Sequence, residues 1–139
     1  MSLYQKYKSV IAKWLWKRVD FDWYYANQCV DWAKMYAKDL WYPITTSWNA
    51  KDFVKKWLGK NWVRVTWEPW VWDIGIHPRW TYWHIFVVES IKNGSLYVHE
   101  QNRDARAYLN NNPRNLGSPI SLWKYPIRWD EVYFRVANN

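Results

Sequence analysis

The only cysteine, Cys29, stands among three carboxylates in Asp20-Phe-Asp-Trp-Tyr-Tyr-Ala-Asn-Gln-Cys-Val-Asp-Trp-Ala-Lys34. Behind it, Val30, Ala33, Met35 and Ala37 alternate with Asp31, Lys34 and Lys38 at helical spacing, and no glycine or proline intervenes before Pro43. A thiol at Cys29 would therefore sit at a helix N-terminus, where unpaired backbone N–H groups favour the thiolate that a nucleophile needs. The competing reading of a lone cysteine is a small buried hydrophobe. A cysteine nucleophile also needs a base and a group to orient it. His84 opens the apolar run Ile85 to Val88, and Glu100 closes Leu96-Tyr-Val-His-Glu100, with Asn93-Gly94 between them. A hairpin turning at Asn93-Gly94 would make His84 and Glu100 neighbours. Asn102, two residues on, shares a strand face with Glu100 and could also reach the imidazole. Glu100 is the better orienter, because a carboxylate stabilises imidazolium more than an amide does. Gln28 and the Cys29 N–H could together hold an oxyanion. His77, before Pro78 in an expected loop, and His99, on the opposite strand face from Glu100, have no such role.

The elements that must position these groups follow from periodicity. Tyr4 to Lys17 spaces Val10, Ile11, Trp14 and Leu15 among lysines as a first amphipathic helix. Its basic face is either plain solvated surface or a face for membrane or wall. After the Cys29 helix, Pro43 to Ser47 reads as a turn, and Asn49-Ala50-Lys51-Asp52 caps a short third helix to Leu58, ended by Gly59. From Trp62 the period becomes that of strands: Val63-x-Val65, Ile74-x-Ile76, Ile85 to Val88, Leu96-x-Val98 and Val132-x-Phe134-x-Val136. Turn signals at His77-Pro78, Asn93-Gly94 and Asn112-Pro113 separate them, and Asp104 to Pro119 reads as a surface loop. Helices first and antiparallel strands after predict an α+β domain with N-terminal helices packed on one sheet.

A chain of 139 residues is expected to form one domain, 1–139. The lysines at 6, 8, 13 and 17 break any apolar run near the N-terminus, so neither a signal peptide nor a transmembrane segment is expected, and synthesis is cytoplasmic. One cysteine allows no internal disulfide. A net charge of +8 favours polyanionic partners: nucleic acid, an anionic membrane, or a phosphate-rich cell wall.

Gln28-Cys29-Val30-Asp31-Trp32-Ala33-Lys34 behind Asp20-x-Asp22-x-Tyr24 resembles the nucleophile motif of the CHAP family, the cysteine, histidine-dependent amidohydrolases and peptidases of bacterial cell-wall lysis. Tyr82 to Glu89 is similar to its histidine strand, and His99 to Asn102 to the segment with its third catalytic residue. The resemblance runs from about Val19 to Asn102. It implies a papain-like fold and a phage endolysin or autolysin catalytic domain that cleaves an amide of peptidoglycan after release to the wall, acting as a monomer. Cys29, His84 and Glu100 would be its triad, with Asn102 and Gln28 in support. It also implies a calcium site of Asp20, Asp22 and Asp31 side chains with the carbonyls of Tyr24 and Ala26, oxygen donors that suit calcium. A helix-capping acidic cluster is the alternative for those residues. Two other functions remain open: single-stranded nucleic-acid binding by interleaved basic and aromatic residues, with no obligate nucleic acid expected, and an inactive CHAP fold holding wall glycan.

Fifteen tryptophans stand against four glycines, where about ten glycines are usual for this length. Trp23, Trp48, Trp72 and Trp83 occupy positions where the resembled family commonly has glycine. Either the source reads UGA as glycine and tryptophan stands at those codons, or the tryptophans are genuine and stack on glycan rings. A genuine Trp83 would crowd His84.

Overall fold

A computed structural model describes residues 2–17, 29–44, 50, 53, 58–65, 68–78, 84–101, 120–128 and 130–137, apart from the side chains at 29 and 121. Helix α1 spans Leu3–Trp14 and α2 spans Cys29–Asp39. Six strands follow: β1 (Trp62–Val65), β2 (Ile74–His77), β3 (His84–Lys92), β4 (Ser95–Glu100), β5 (Ser121–Pro126) and β6 (Val132–Val136). They form one sheet in the order β1-β6-β2-β3-β4-β5, and every adjacent pair is antiparallel. The expected α+β layout is what forms.

Each helix starts and stops for a local reason. Ser2 caps α1, its Oγ accepting from the Gln5 N–H at 3.2 Å while Gln5 Oε1 accepts from the Ser2 N–H at 2.9 Å. The helix ends at Trp14 and not at the expected Lys17, because the chain turns at Leu15 and Trp16. Helix α2 buries Val30, Trp32, Ala33, Tyr36 and Ala37, and Leu40 just after it is buried too. The C-terminal ends of the two helices are tied by the Trp14 indole, whose Nε1–H donates to Asp39 Oδ2 at 2.7 Å. The expected third helix lies mostly outside the described residues; Phe53 is helical, and Ala50, Phe53 and Leu58 are buried.

Strand alternation gives the sheet two buried faces. Ile74, Ile76, Ile85, Val87 and Phe134 join the residues of both helices in one core, and Phe86, Val88, Leu96, Val98 and Tyr133 form a second on the opposite face. The β3–β4 hairpin turns on Asn93 and Gly94, both left-handed at φ 50° and 76°, as a two-residue type I′ turn requires. Strand β5, absent from the sequence expectations, is an edge strand. Leu122 and Trp123 stay exposed, so no apolar face marked it, and Pro126 is tolerated at its end.

Burial fixes the charge state of several core groups. On the helix face, desolvation pulls the His99 imidazole down to about 4, and its Nδ1 finds no hydrogen-bond partner. Burial also drives the phenols of Tyr7 and Tyr36 up, keeping them neutral donors to the carbonyls of Val88 and Trp72. Asp73 is fully buried and pushed up by desolvation, opposed by Arg135, whose Nε and Nη2 donate to its two oxygens at 2.9 and 3.0 Å. Because His99 is neutral when folded and protonates at 6.5 when unfolded, the unfolded state binds more protons below that pH. Stability should therefore fall as pH drops from 6.5 towards 4, by on the order of 3 kcal/mol from this residue. Urea titrations across that window should show the slope, and His99→Gln should flatten it. Gly75 is the second sensitive point, since a Cβ there would meet the Phe86 ring at 2.4 Å. Gly75→Ala should cost about 1–3 kcal/mol by urea denaturation, and Phe86→Leu in the same chain should recover part of it.

Candidate active site

Two strand ends bring the site together. His84 is the first residue of β3 and Glu100 the last of β4, and a register shift between Val88 and Ser90 puts them in phase. Val87 pairs with His99 and Val88 with Val98, so Glu100 lies on the Val98 side of β4 and His84 on the Val88 side of β3. His84 Nε2 lies 2.7 Å from Glu100 Oε2, and both side chains are buried. The other carboxylate oxygen, Oε1, accepts from the Tyr125 hydroxyl at 2.5 Å.

His77 extends the row. It is not in a loop, as the sequence suggested, but closes β2 directly opposite His84 and is buried. The two imidazoles lie parallel, 6.2 Å apart, and the His77 ring packs on Phe86 and edge-on to Tyr125. Its Nδ1 meets Glu131 Oε2, while Glu131 Oε1 accepts from the Tyr133 hydroxyl at 3.1 Å and the Arg128 N–H at 3.0 Å. Burial and then Glu131 push the Tyr133 phenol up, so it stays a donor. Glu131, His77, His84, Glu100 and Tyr125 thus share the sheet face away from the helices, the first four of them buried. Tyr125 and His77 were missed. The signal for His77 was its place at the end of Ile74-x-Ile76-x; Tyr125 sits in a strand that the pattern did not reveal.

Cys29 opens α2, at the helix start the sequence suggested; its side chain lies outside the described residues. The first turn of α2 is fixed beside the end of β4, because the Trp32 indole N–H donates to the His99 carbonyl at 3.0 Å. Helix α2 packs on the sheet face that carries Ile85 and Val87, whereas His84 and Glu100 lie on the other face. The first turn of α2 thus lies beside the sheet end where β3 begins and β4 finishes. Gln28, Asn102, Asp20, Asp22, Tyr24 and Ala26 lie outside the described residues. Of the expected calcium donors Asp31 is described, buried in the first turn of α2. Among the described residues no three histidine, cysteine or acidic side chains form a metal-binding group. Nor is any helix among them long and apolar enough to cross a membrane.

No family model matches the chain, and no curated protein does. Among solved structures it is similar to the wild-type endolysin LysIME-EF1, with a TM-score of 0.75 at 19% identity over 98% of this chain and 64% of that one. It is also similar to Ly7917, with a TM-score of 0.66 at 15% identity over 98% of this chain and 63% of the other. A further structure, Ly7917 with the hydrolyzing product of MDP, matches with a TM-score of 0.67 at 16% identity. The chain spans just under two thirds of the length of each of these proteins. At such identities the likeness is one of fold, and the fold is endolysin-like.

Proposed function

We propose that the chain is a peptidoglycan hydrolase of CHAP type, a cysteine amidase or endopeptidase that cleaves an amide of the bacterial wall. The buried His84–Glu100 contact carries this reading, at the sheet end beside the first turn of α2. In this reading Nδ1 is the nitrogen that exchanges a proton with the thiol. In that tautomer Nε2–H donates to Glu100, which aims the ring and stabilises the imidazolium. His84 Nδ1 takes the proton of Cys29, and the sulfur attacks the amide carbonyl. The Cys29 N–H and Gln28 hold the oxyanion as the C–N bond breaks and His84 protonates the leaving amine. Water, deprotonated by the same imidazole, then releases the acid from the thioester. Tyr125, donating to Glu100 Oε1, acts as a positioning residue, and Asn102 would hold the backbone or substrate nearby. The net charge of +8 supports attraction to anionic wall polymers.

Calcium fits the donor set in this reading. Asp20, Asp22 and Asp31 with the carbonyls of Tyr24 and Ala26 would hold it with hard oxygen ligands. The ion would order the segment that leads into Cys29.

Zymography on several wall types tests the reading. Wild type should clear at least one, while Cys29→Ala and His84→Ala should each lose at least about 1,000-fold in rate. Equal clearing by Cys29→Ala would remove the cysteine mechanism. Tyr125→Phe should lower kcat about three- to tenfold with KM unchanged, through loss of one hydrogen bond to a charged partner. Chelation should slow clearing if calcium is bound, and Asp31→Asn should then respond less to added calcium than wild type.

A further inference from the structure

Three tryptophans occupy backbone conformations that belong to glycine. Among the described residues the non-glycine positions with positive φ are Trp16 at 68°, Trp41 at 72°, Trp72 at 75° and Asn93 at 50°. Asparagine tolerates this region, whereas a bulky side chain there is a true outlier.

Each of the three sits where the local hydrogen bonding demands that conformation. Leu15 at φ −52°, ψ 134° is followed by Trp16, and the Lys17 N–H closes on the Trp14 carbonyl at 2.9 Å. This is a type II turn with tryptophan at its third position, the place that glycine fills. At the end of α2 the Tyr42 N–H donates to the Ala37 carbonyl at 3.0 Å and the Trp41 N–H to the Lys38 carbonyl at 2.9 Å. Those two bonds are a Schellman motif with Trp41 at the left-handed C′ residue, the commonest site of glycine at a helix end. Trp72 holds the third position of a turn closed by the Asp73 N–H on the Trp70 carbonyl at 3.1 Å.

Their side chains do not compensate. Trp16 is 67% exposed and Trp41 79% exposed. Trp72 packs on Tyr4 and Tyr7, but its indole N–H is buried with no partner. The other described tryptophans differ: Trp14, Trp32 and Trp62 have ordinary backbone and donate from Nε1 to Asp39, His99 and Tyr42. Trp70 and Trp123 also keep negative φ. Two of the remaining glycines, Gly59 and Gly75, stand where a Cβ would clash with the Pro43 carbonyl or the Phe86 ring. Gly94 is left-handed. The backbone therefore needs more glycines than the chain contains.

We propose that residues 16, 41 and 72 are glycine in the protein its source organism makes, the three codons being UGA read as glycine. Tryptophan, encoded by UGG, would then belong at 14, 32 and 62. The inference is independent of the enzymatic reading above. Trp23, Trp48 and Trp83, at family glycine positions, lie outside the described residues and do not bear on it.

The gene and the folded chain both test this. UGA at codons 16, 41 and 72 with UGG at 14, 32 and 62 is the expected result; UGG at 16, 41 and 72 overturns it. In the full-length chain, Trp16→Gly and Trp41→Gly should each raise the folded-to-unfolded ratio in urea about five- to tenfold over Trp16→Ala and Trp41→Ala, because alanine keeps the left-handed penalty. Glycine variants no more stable than the alanine variants would show that these positions do not require glycine, and the proposal would fall. Trp32→Gly, the control, should lose stability.

Discussion

The site depends on one extra residue in β3. Between the turn and the site, the pairing moves from Ser90 opposite Tyr97 to Val88 opposite Val98, leaving Glu89 as the bulged residue. Were Glu89 paired in the ladder instead of bulged, the turn register would continue, setting Glu100 opposite Val87, on the strand side that faces the helices. The carboxylate would then point away from His84. A slip of one residue inverts every side chain of a strand, so this local irregularity decides whether a base and its orienter share a face. The type I′ turn at Asn93 and Gly94 fixes the register from the other end. The two features act as a pair, since neither alone determines which residues meet at the far end of the hairpin.

Much of this was legible in the sequence because it is local. The start of α2 at Cys29, the Asn93-Gly94 turn and the two-sided run from His84 to Val88 follow from short-range periodicity and turn chemistry, whereas the shared face of His84 and Glu100 rests on the bulge at Glu89. The separation of His99 from Glu100 onto opposite faces follows from alternation alone. What was illegible depends on neighbours. Strand β5 takes its place from pairing with β4 and not from an apolar face, so Tyr125 and its bond to Glu100 could not be seen. His77 looked like a loop residue because Pro78 follows it, yet a proline just beyond a strand end removes no ladder bond that the strand needs. The stop of α1 at Trp14 was hidden for a related reason: the left-handed residue that ends it is not glycine, the residue by which such a stop is recognised.

Sealing ionisable groups in the sheet shapes what they can do. A buried carboxylate flanked by a phenol and an imidazole has its oxygens satisfied by fixed donors, so it needs no water to hold its orientation. The second pair, His77 and Glu131 with Tyr133, repeats the same chemistry one strand over, buttressing His84 from the side away from Glu100. Asp73 and Arg135 perform the structural version: a buried acid held by a two-pronged guanidinium that also reaches the Glu68 carbonyl, tying the segment before β2 to β6. The three clusters use similar residues. Position separates them, because the His84–Glu100 pair lies next to the strand end to which the first turn of α2 is bonded.

Among the described residues the exposed tryptophans are Trp16, Trp41, Trp70 and Trp123, and they sit on different elements. Trp41 lies twelve residues beyond Cys29, about 18 Å along the α2 axis and at the end away from the site. Trp70 lies beside Arg135 on β6, whose guanidinium carbon is 5.8 Å from its ring, and Trp123 is on β5. Four strand spacings, about 19 Å, separate those two strands. Trp16 is bonded through its backbone to Ile120, just before β5, and the Trp14 indole ties the same turn to the end of α2 that Trp41 follows. The property that Trp16, Trp41 and Trp72 share is a left-handed turn geometry, so the backbone is the guide to why they stand where they do.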